Sequence, residues 1–293
     1  MRATLEMIMI PKTILLATDL SCRCDRALDR ATALAAEWNA RLVVLHALQE
    51  PARISDLPSW RRPPDPSQAA RRRVYEDLRG AEGVKIDVIV DRGDPPSVIL
   101  ETAERLGCDL IVTGMARDET LGRVLLGDTV EKLARKANAP VLVVKSRPRG
   151  PYRNVIVATD FSEGSRHAFE VALAMLPQAQ MTLFHAVEVP FEGLIDDKME
   201  ARAAAENQAR AECQAFLAAT PAVAASKRPV EVVCECGEVG ALLQDLAQTR
   251  GADLVVLGTE GHSGLASVLL GSVARYLLNA LSIDTLVARR RKE

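Results

Sequence analysis

The chain carries one unit twice, and this duplication limits its fold more than any other feature. Ile14-Leu-Leu-Ala-Thr-Asp19-Leu-Ser21 returns 141 residues later as Val155-Ile-Val-Ala-Thr-Asp160-Phe-Ser162. Val43-Val-Leu-His46-Ala47 returns as Thr182-Leu-Phe-His185-Ala186. Asp109 to Gly127 aligns with Asp253 to Gly271 at an offset of 144, with 9 identities in 19 positions. A repeat this long is a duplicated domain rather than a solenoid unit. The 293 residues hold two domains of the usual size, about 100–200 residues each. Between the copies, Lys145-Ser-Arg-Pro-Arg-Gly-Pro-Tyr-Arg153 combines Pro, Gly and positive charge, which is linker composition. The domains are expected at 1–147 and 152–293.

Each copy alternates short β-rich runs with helix-like segments. The first has runs at Ile14–Ala17, Leu42–Leu45, Ile86–Val90, Leu110–Val112 and Val141–Val144, with helices near 22–38, 67–80, 95–107 and 121–138. The second has runs at Val155–Ala158, Met181–Phe184, Val230–Cys234, Leu254–Leu257 and Thr285–Ala288, and a long helix at Lys198–Ala218. The runs are continuously apolar, as strands covered on both faces must be. Strand–helix alternation with such runs predicts an α/β fold: two tandem doubly wound domains, each a five-stranded parallel sheet flanked by helices. After its second strand the first copy carries Pro51, Pro58, Pro63, Pro64 and Pro66, expected as a loop, and then Arg71-Arg72-Arg73, expected as a solvated helix face.

Composition removes several function classes. The net charge is −2, which argues against a polyanion binder, and aromatics at 3% leave little to stack nucleobases on. Neither a nucleic-acid partner nor a membrane span is expected: no apolar stretch reaches the length of about 18 uncharged residues that a span needs. The segment Met1–Ile10 carries Arg2 and Glu6 and runs into Pro11-Lys12, too short and interrupted for a signal peptide. The expected location is the cytoplasm, with thiols reduced.

In an open α/β sheet, ligands bind beyond the carboxyl ends of the strands where the strand order reverses. After the fourth strand of the second copy stands Gly258-Thr-Glu-Gly261-His-Ser-Gly264, continuing to Gly271-Ser272. The pattern is G-x2-G-x9-G-S. Glycines there let backbone N–H groups approach a ligand, and a following helix start can hold phosphate oxygens. Together with Ala158-Thr-Asp160 after the first strand, this spacing resembles the universal stress protein family, and the resemblance runs over nearly the whole chain in two copies. It implies an adenine nucleotide alpha hydrolase-like fold, an ATP site with Mg²⁺ bridging the phosphates, and a role in stress response. Carried over residue by residue, Ala158 and Asp160 would border the nucleoside. Ala186 or Val187 would meet adenine through main-chain groups. Leu257, Gly258 and Gly261 would line ribose and phosphates. Gly271, Ser272 and Val273 would donate to the phosphates. His262 lies in the glycine loop, where contact with phosphate and a solvated side chain are equal alternatives. The resemblance further implies a pseudo-dimer of the two domains through Val141–Val144 and Thr285–Ala288, and leaves a homodimer of chains open.

The first copy departs from the pattern. Arg117 stands where the second copy has Gly261, and Asp128 where it has Ser272. A side chain at 117 obstructs the backbone approach. A carboxylate at 128 repels phosphate by roughly 1–4 kcal/mol at about 4 Å. One competent site per chain is therefore expected, in the second copy.

Other readings of the same residues stand beside these. Asp19 and Asp160 can cap the helices that follow them, a reading favoured for Asp19. His46 and His185 end second strands and read as structural. Cys22/Cys24 and Cys234/Cys236 are C-x-C pairs, tighter than the usual zinc spacing, and read as ordinary thiols. No P-loop, nucleophile elbow or dinucleotide fingerprint is present. Glu260 and His262 are the nearby candidates for a slow ATPase, the rival within the enzyme class. A nucleotide-free scaffold for another ligand or partner is the third reading.

Overall fold

The computed structural model describes residues 10–48, 65–78, 81, 83–115, 127–259 and 270–290. Pro11–Pro151 forms one compact unit, and a second begins at Tyr152. The first contains β1 (Thr13–Thr18), a 3-10 turn at Cys22–Cys24, α1 (Asp25–Trp38), β2 (Arg41–Leu48), α2 (Pro66–Asp77), β3 (Lys85–Arg92), α3 (Pro95–Arg105), β4 (Leu110–Gly114), α4 (Asp128–Lys136) and β5 (Val141–Val144). The second contains β6 (Asn154–Ala158), α5 (Glu163–Met175), β7 (Gln180–Val187), α6 (Lys198–Ala218), α7 (Pro221–Ser226), β8 (Val230–Cys236), α8 (Val239–Thr249), β9 (Leu254–Gly258), α9 (Ser272–Ala280) and β10 (Asp284–Ala288).

Within the first unit the strands lie in the order β3-β2-β1-β4-β5, all parallel. Within the second they lie in the order β8-β7-β6-β9-β10, again all parallel. The order reverses between β1 and β4, and between β6 and β9, which are the switch points where such sheets open a crevice. The α/β expectation holds for a simple reason: strands such as Ile14-Leu15-Leu16 and Val255-Val256 are buried on both faces and need helices to cover them.

A repeated carboxylate clamp sets the amino ends of the sheets. Asp109 Oδ2 accepts from the N–H groups of Lys12 and Thr13 at 2.8 and 2.9 Å. Asp253 Oδ2 accepts from those of Arg153 and Asn154 at 2.8 and 3.0 Å. Each clamp ties the start of the fourth strand to the start of the first. In the second unit Tyr152 donates its hydroxyl to the buried Asp284 carboxylate at 2.7 Å.

Several boundaries move from their sequence expectation. The segment expected as helix from 22 begins with the 3-10 turn Cys22–Cys24, and α1 starts at Asp25. The helix expected over 95–107 ends at Arg105, because Gly107 takes a left-handed φ of 59° and turns the chain. Pro66, expected in a loop, opens α2 behind the Asp65 cap, which accepts from Ser67 N–H at 3.0 Å. That helix ends at Asp77 rather than residue 80. The helix expected over 121–138 is described from Asp128 to Lys136, and 121–126 lie outside the described residues. Arg71, Arg72 and Arg73 are all exposed, and Arg72 pairs with Glu76 one turn on.

Candidate functional site

The carboxyl edge of the second sheet collects the residues that the sequence pattern singles out. In the parallel register Ala158 lies beside Phe184 of β7, and Val157 beside Val256 of β9. Ala158, Ala186, Val187, Leu257 and Gly258 therefore end neighbouring strands on one edge. Leu257 points into the core with Ile156, Phe184 and Leu277, so only its main chain is available to a ligand.

The turn after the first strand is built alike in both units. The Phe161 N–H donates to Thr159 Oγ1 at 2.9 Å, and the Ser162 N–H donates to Asp160 Oδ1 at 3.1 Å. The Leu20 N–H donates to Thr18 Oγ1 at 3.0 Å, and the Ser21 N–H to Asp19 Oδ1 at 2.8 Å. Leu20 and Phe161 are both left-handed, with φ of 61° and 65°. A non-glycine residue there costs about 1–3 kcal/mol, so the flanking hydrogen bonds must hold it. Neither aspartate caps a helix, which corrects the capping reading. Each closes an Asx turn two residues on, and Ser162 caps α5 by accepting from the Ser165 N–H at 3.2 Å.

The histidines serve the same turn. His46 Nδ1 lies 2.9 Å from the Thr18 carbonyl oxygen, and His185 Nδ1 lies 2.8 Å from that of Thr159. A carbonyl can only accept, so Nδ1 carries the hydrogen in both rings. Phe161 packs on His185 at 4.4 Å between centroids and on Phe216 of α6 at 5.9 Å. The structural reading of both histidines holds.

Gly258 has a role that its place in the motif does not reveal. A Cβ there would lie 2.8 Å from the Gly164 carbonyl carbon and the Ser165 nitrogen. Glycine at 258 is thus required by the close approach of β9 to the first turn of α5, before any ligand is considered. Gly271 is freer: its nearest atom to an added Cβ is the Thr259 carbonyl oxygen at 3.4 Å. Its N–H donates to that same oxygen at 3.1 Å.

Gly271 is the N-cap of α9, so no side chain caps this helix. The first turn contains Ser272 and Val273 and no acidic residue. Thr259, which sequence reasoning missed, is buried, and its Oγ1 has no hydrogen-bond partner among the described residues. In the first unit Gly127 caps α4 in the same way, but Asp128 and Glu131 occupy the first turn and Arg135 and Lys136 the last. Those charges satisfy the α4 dipole from within the helix, whereas α9 leaves its positive end open. Gly261 and His262, with Glu260 and Arg117, lie outside the described residues.

The first unit also engages its turn carboxylate differently. The Cys24 thiol donates to Asp19 Oδ1 at 3.1 Å. Burial, with help from that carboxylate, pushes the thiol up to about 11. Among the described residues, no group of three His, Cys, Asp or Glu side chains that could hold a metal ion converges, at the C-x-C pairs or elsewhere.

A family model described as the universal stress protein family matches residues 11–145 and again 151–289. The chain belongs to the universal stress protein family. It is 26% identical over 305 residues to universal stress protein Rv2005c of Mycobacterium tuberculosis, covering 94% of this chain and 97% of the relative. It is 35% identical over 141 residues to a universal stress protein of Thermus aquaticus, covering 46% of this chain and 98% of that relative, which has the length of one copy. The crystal structure of a universal stress protein from Archaeoglobus fulgidus superimposes with a TM-score of 0.70 at 19% identity, covering 96% of this chain and 99% of that one. Among the described residues of this universal stress protein, no helix is long and apolar enough to cross a membrane.

Proposed function

We propose that the second unit of this universal stress protein binds an adenine nucleotide, ATP with Mg²⁺, and acts as a nucleotide-responsive binding protein in the cytoplasmic stress response. One observation carries the reading. The uncapped, acid-free start of α9 is tied to Thr259 by the Gly271 N–H, which donates to its carbonyl oxygen at 3.1 Å, and the buried Thr259 hydroxyl has no hydrogen-bond partner among the described residues. A buried hydroxyl without a partner costs about 1–3 kcal/mol, and an anion's oxygens can accept from it and from the first-turn N–H groups together.

The residues present fit such a group. Ser272 and Val273 supply first-turn donors for phosphate oxygens, whereas the Gly271 N–H, expected from the sequence as a third donor, is already given to the Thr259 carbonyl oxygen; Gly261 and His262 belong to the same loop in sequence. Ala158 and Asp160 border the nucleoside, and the main chains of Ala186 and Val187 face the base. Leu257 and Gly258 contribute backbone along ribose and phosphate. Mg²⁺ neutralises phosphate charge when bound, with the phosphates as its main ligands. The first unit lacks this set, because Asp128 and Glu131 place negative charge where phosphate would lie.

ATP titration followed by thermal unfolding tests the reading. A ligand that binds only the folded state stabilises it by mass action, about 2.7 kcal/mol at a hundredfold excess over Kd. The second unit's transition is expected to rise with ATP concentration, and less so when Mg²⁺ is chelated. A transition that ignores ATP with and without Mg²⁺ would rule the reading out.

A further inference from the structure

The second unit buries a pair of thiols that the nucleotide site does not use. Cys213 faces inward from α6, in the stripe Ala209, Cys213, Phe216 and Leu217. Cys234 faces it from β8, and the two sulfurs lie 3.6 Å apart, in direct contact. Both side chains are buried. A disulfide needs a separation of about 2.05 Å, so roughly 1.5 Å of closure joins them. The matching helix and strand of the first unit, α2 and β3, contain no cysteine, so packing in this fold does not require thiols there.

We propose that Cys213 and Cys234 are a peroxide-oxidised dithiol whose disulfide staples α6 to the edge strand β8. Burial pushes both thiols up, and either sulfur can donate to the other. One of the two, as its thiolate, attacks a peroxide oxygen and the O–O bond breaks. Sulfenic acid forms, and the departing oxygen leaves as water after taking a proton. The second sulfur then attacks the first, the S–O bond breaks, and a second water leaves. Two thiols lose two hydrogens and two electrons, and one hydrogen peroxide becomes two waters.

The position gives the staple a consequence. Phe216 lies one turn beyond Cys213 and packs on Phe161, the left-handed residue next to Asp160. Fixing α6 on β8 therefore steadies the turn at the carboxyl edge. Because both thiols are pushed up, the reaction is slow at neutral pH and accelerates as pH rises.

The test uses the full chain. Native protein is treated with hydrogen peroxide, quenched in acid, alkylated and digested with trypsin without reductant. The expected product joins peptide Ala211–Lys227 to peptide Arg228–Arg250, lighter than the sum of the two by two hydrogens, and dithiothreitol separates it. Cys236 lies on the second peptide, so the same map on Cys236→Ser assigns the link: it persists if Cys234 is the partner. Cys213 and Cys234 both recovered fully alkylated from wild type would overturn the proposal. So would loss of the link in Cys236→Ser while that variant keeps its wild-type circular dichroism. Neither arm involves nucleotide, so failure here leaves the ATP reading intact.

Discussion

The two units share one turn and differ in one helix start, and the contrast separates what the fold needs from what a ligand needs. Both hold a left-handed residue between a threonine hydroxyl and an aspartate carboxylate, and both brace the turn with a histidine from the second strand. Both clamp the first strand with an aspartate that opens the fourth. Features present in both copies, the turn aspartates included, serve the fold whether or not a ligand binds. What the copies do not share is the start of the last helix, where α4 carries Asp128 and Glu131 and α9 carries no acid. They also differ at Asp19, which accepts a thiol hydrogen from Cys24. The first unit offsets its helix dipole with its own acids, whereas the second leaves that positive end open.

Five substitutions sharpen or break this contrast. Gly261→Arg copies Arg117 into the second unit and is expected to abolish ATP binding while circular dichroism and thermal unfolding stay as in wild type. ATP binding that survives would mean the glycine does not separate the copies. Ser272→Asp copies Asp128. Like charges at about 4 Å cost roughly 1–4 kcal/mol, and in a solvent-facing site the low end applies, so calorimetry should find ATP affinity about fivefold weaker.

Gly258→Val tests architecture rather than ligand. The added carbons meet the backbone of Gly164 and Ser165, and overpacking of this kind costs typically about 1–3 kcal/mol. Denaturant unfolding should show that loss in the second unit without nucleotide, while Gly271→Ala should leave stability within about 0.5 kcal/mol. Equal effects at the two glycines would contradict the division of roles. Thr259→Val gives a small change of the opposite sign to Gly258→Val. Removing a buried hydroxyl that has no partner among the described residues should raise nucleotide-free stability by up to about 1 kcal/mol and weaken ATP binding; a drop in stability would show that the hydroxyl is satisfied in solution.

Most of the fold was legible because parallel strands covered on both faces read as continuous apolar runs, and the duplication supplied each run twice. The strand ends were less legible. Residues such as Arg41 and Lys85 pair through their backbones while their side chains stay exposed, so polarity hides their place in the ladder. The start of α1 was misplaced because nothing in Cys-Arg-Cys distinguishes a 3-10 turn from a first helical turn. α7 gave no periodic signal in its six residues. At the candidate site, the motif spacing located the strand ends but not their duties. Gly258 was read as clearance for a ligand, whereas the contact that requires it, Gly164, lies far away in sequence. Thr259 carried no signal at all, since an unpartnered hydroxyl is a property of its surroundings rather than of its residue type.

The stoichiometry of adenine nucleotide on the full chain tests the central claim most directly. Protein purified without added nucleotide is saturated with ATP and Mg²⁺, freed of unbound ligand, denatured, and the released nucleotide counted against chain. The account predicts one per chain, abolished by Gly261→Arg. Two per chain would show that Asp128 and Glu131 do not close the first unit, and none would remove the nucleotide reading altogether.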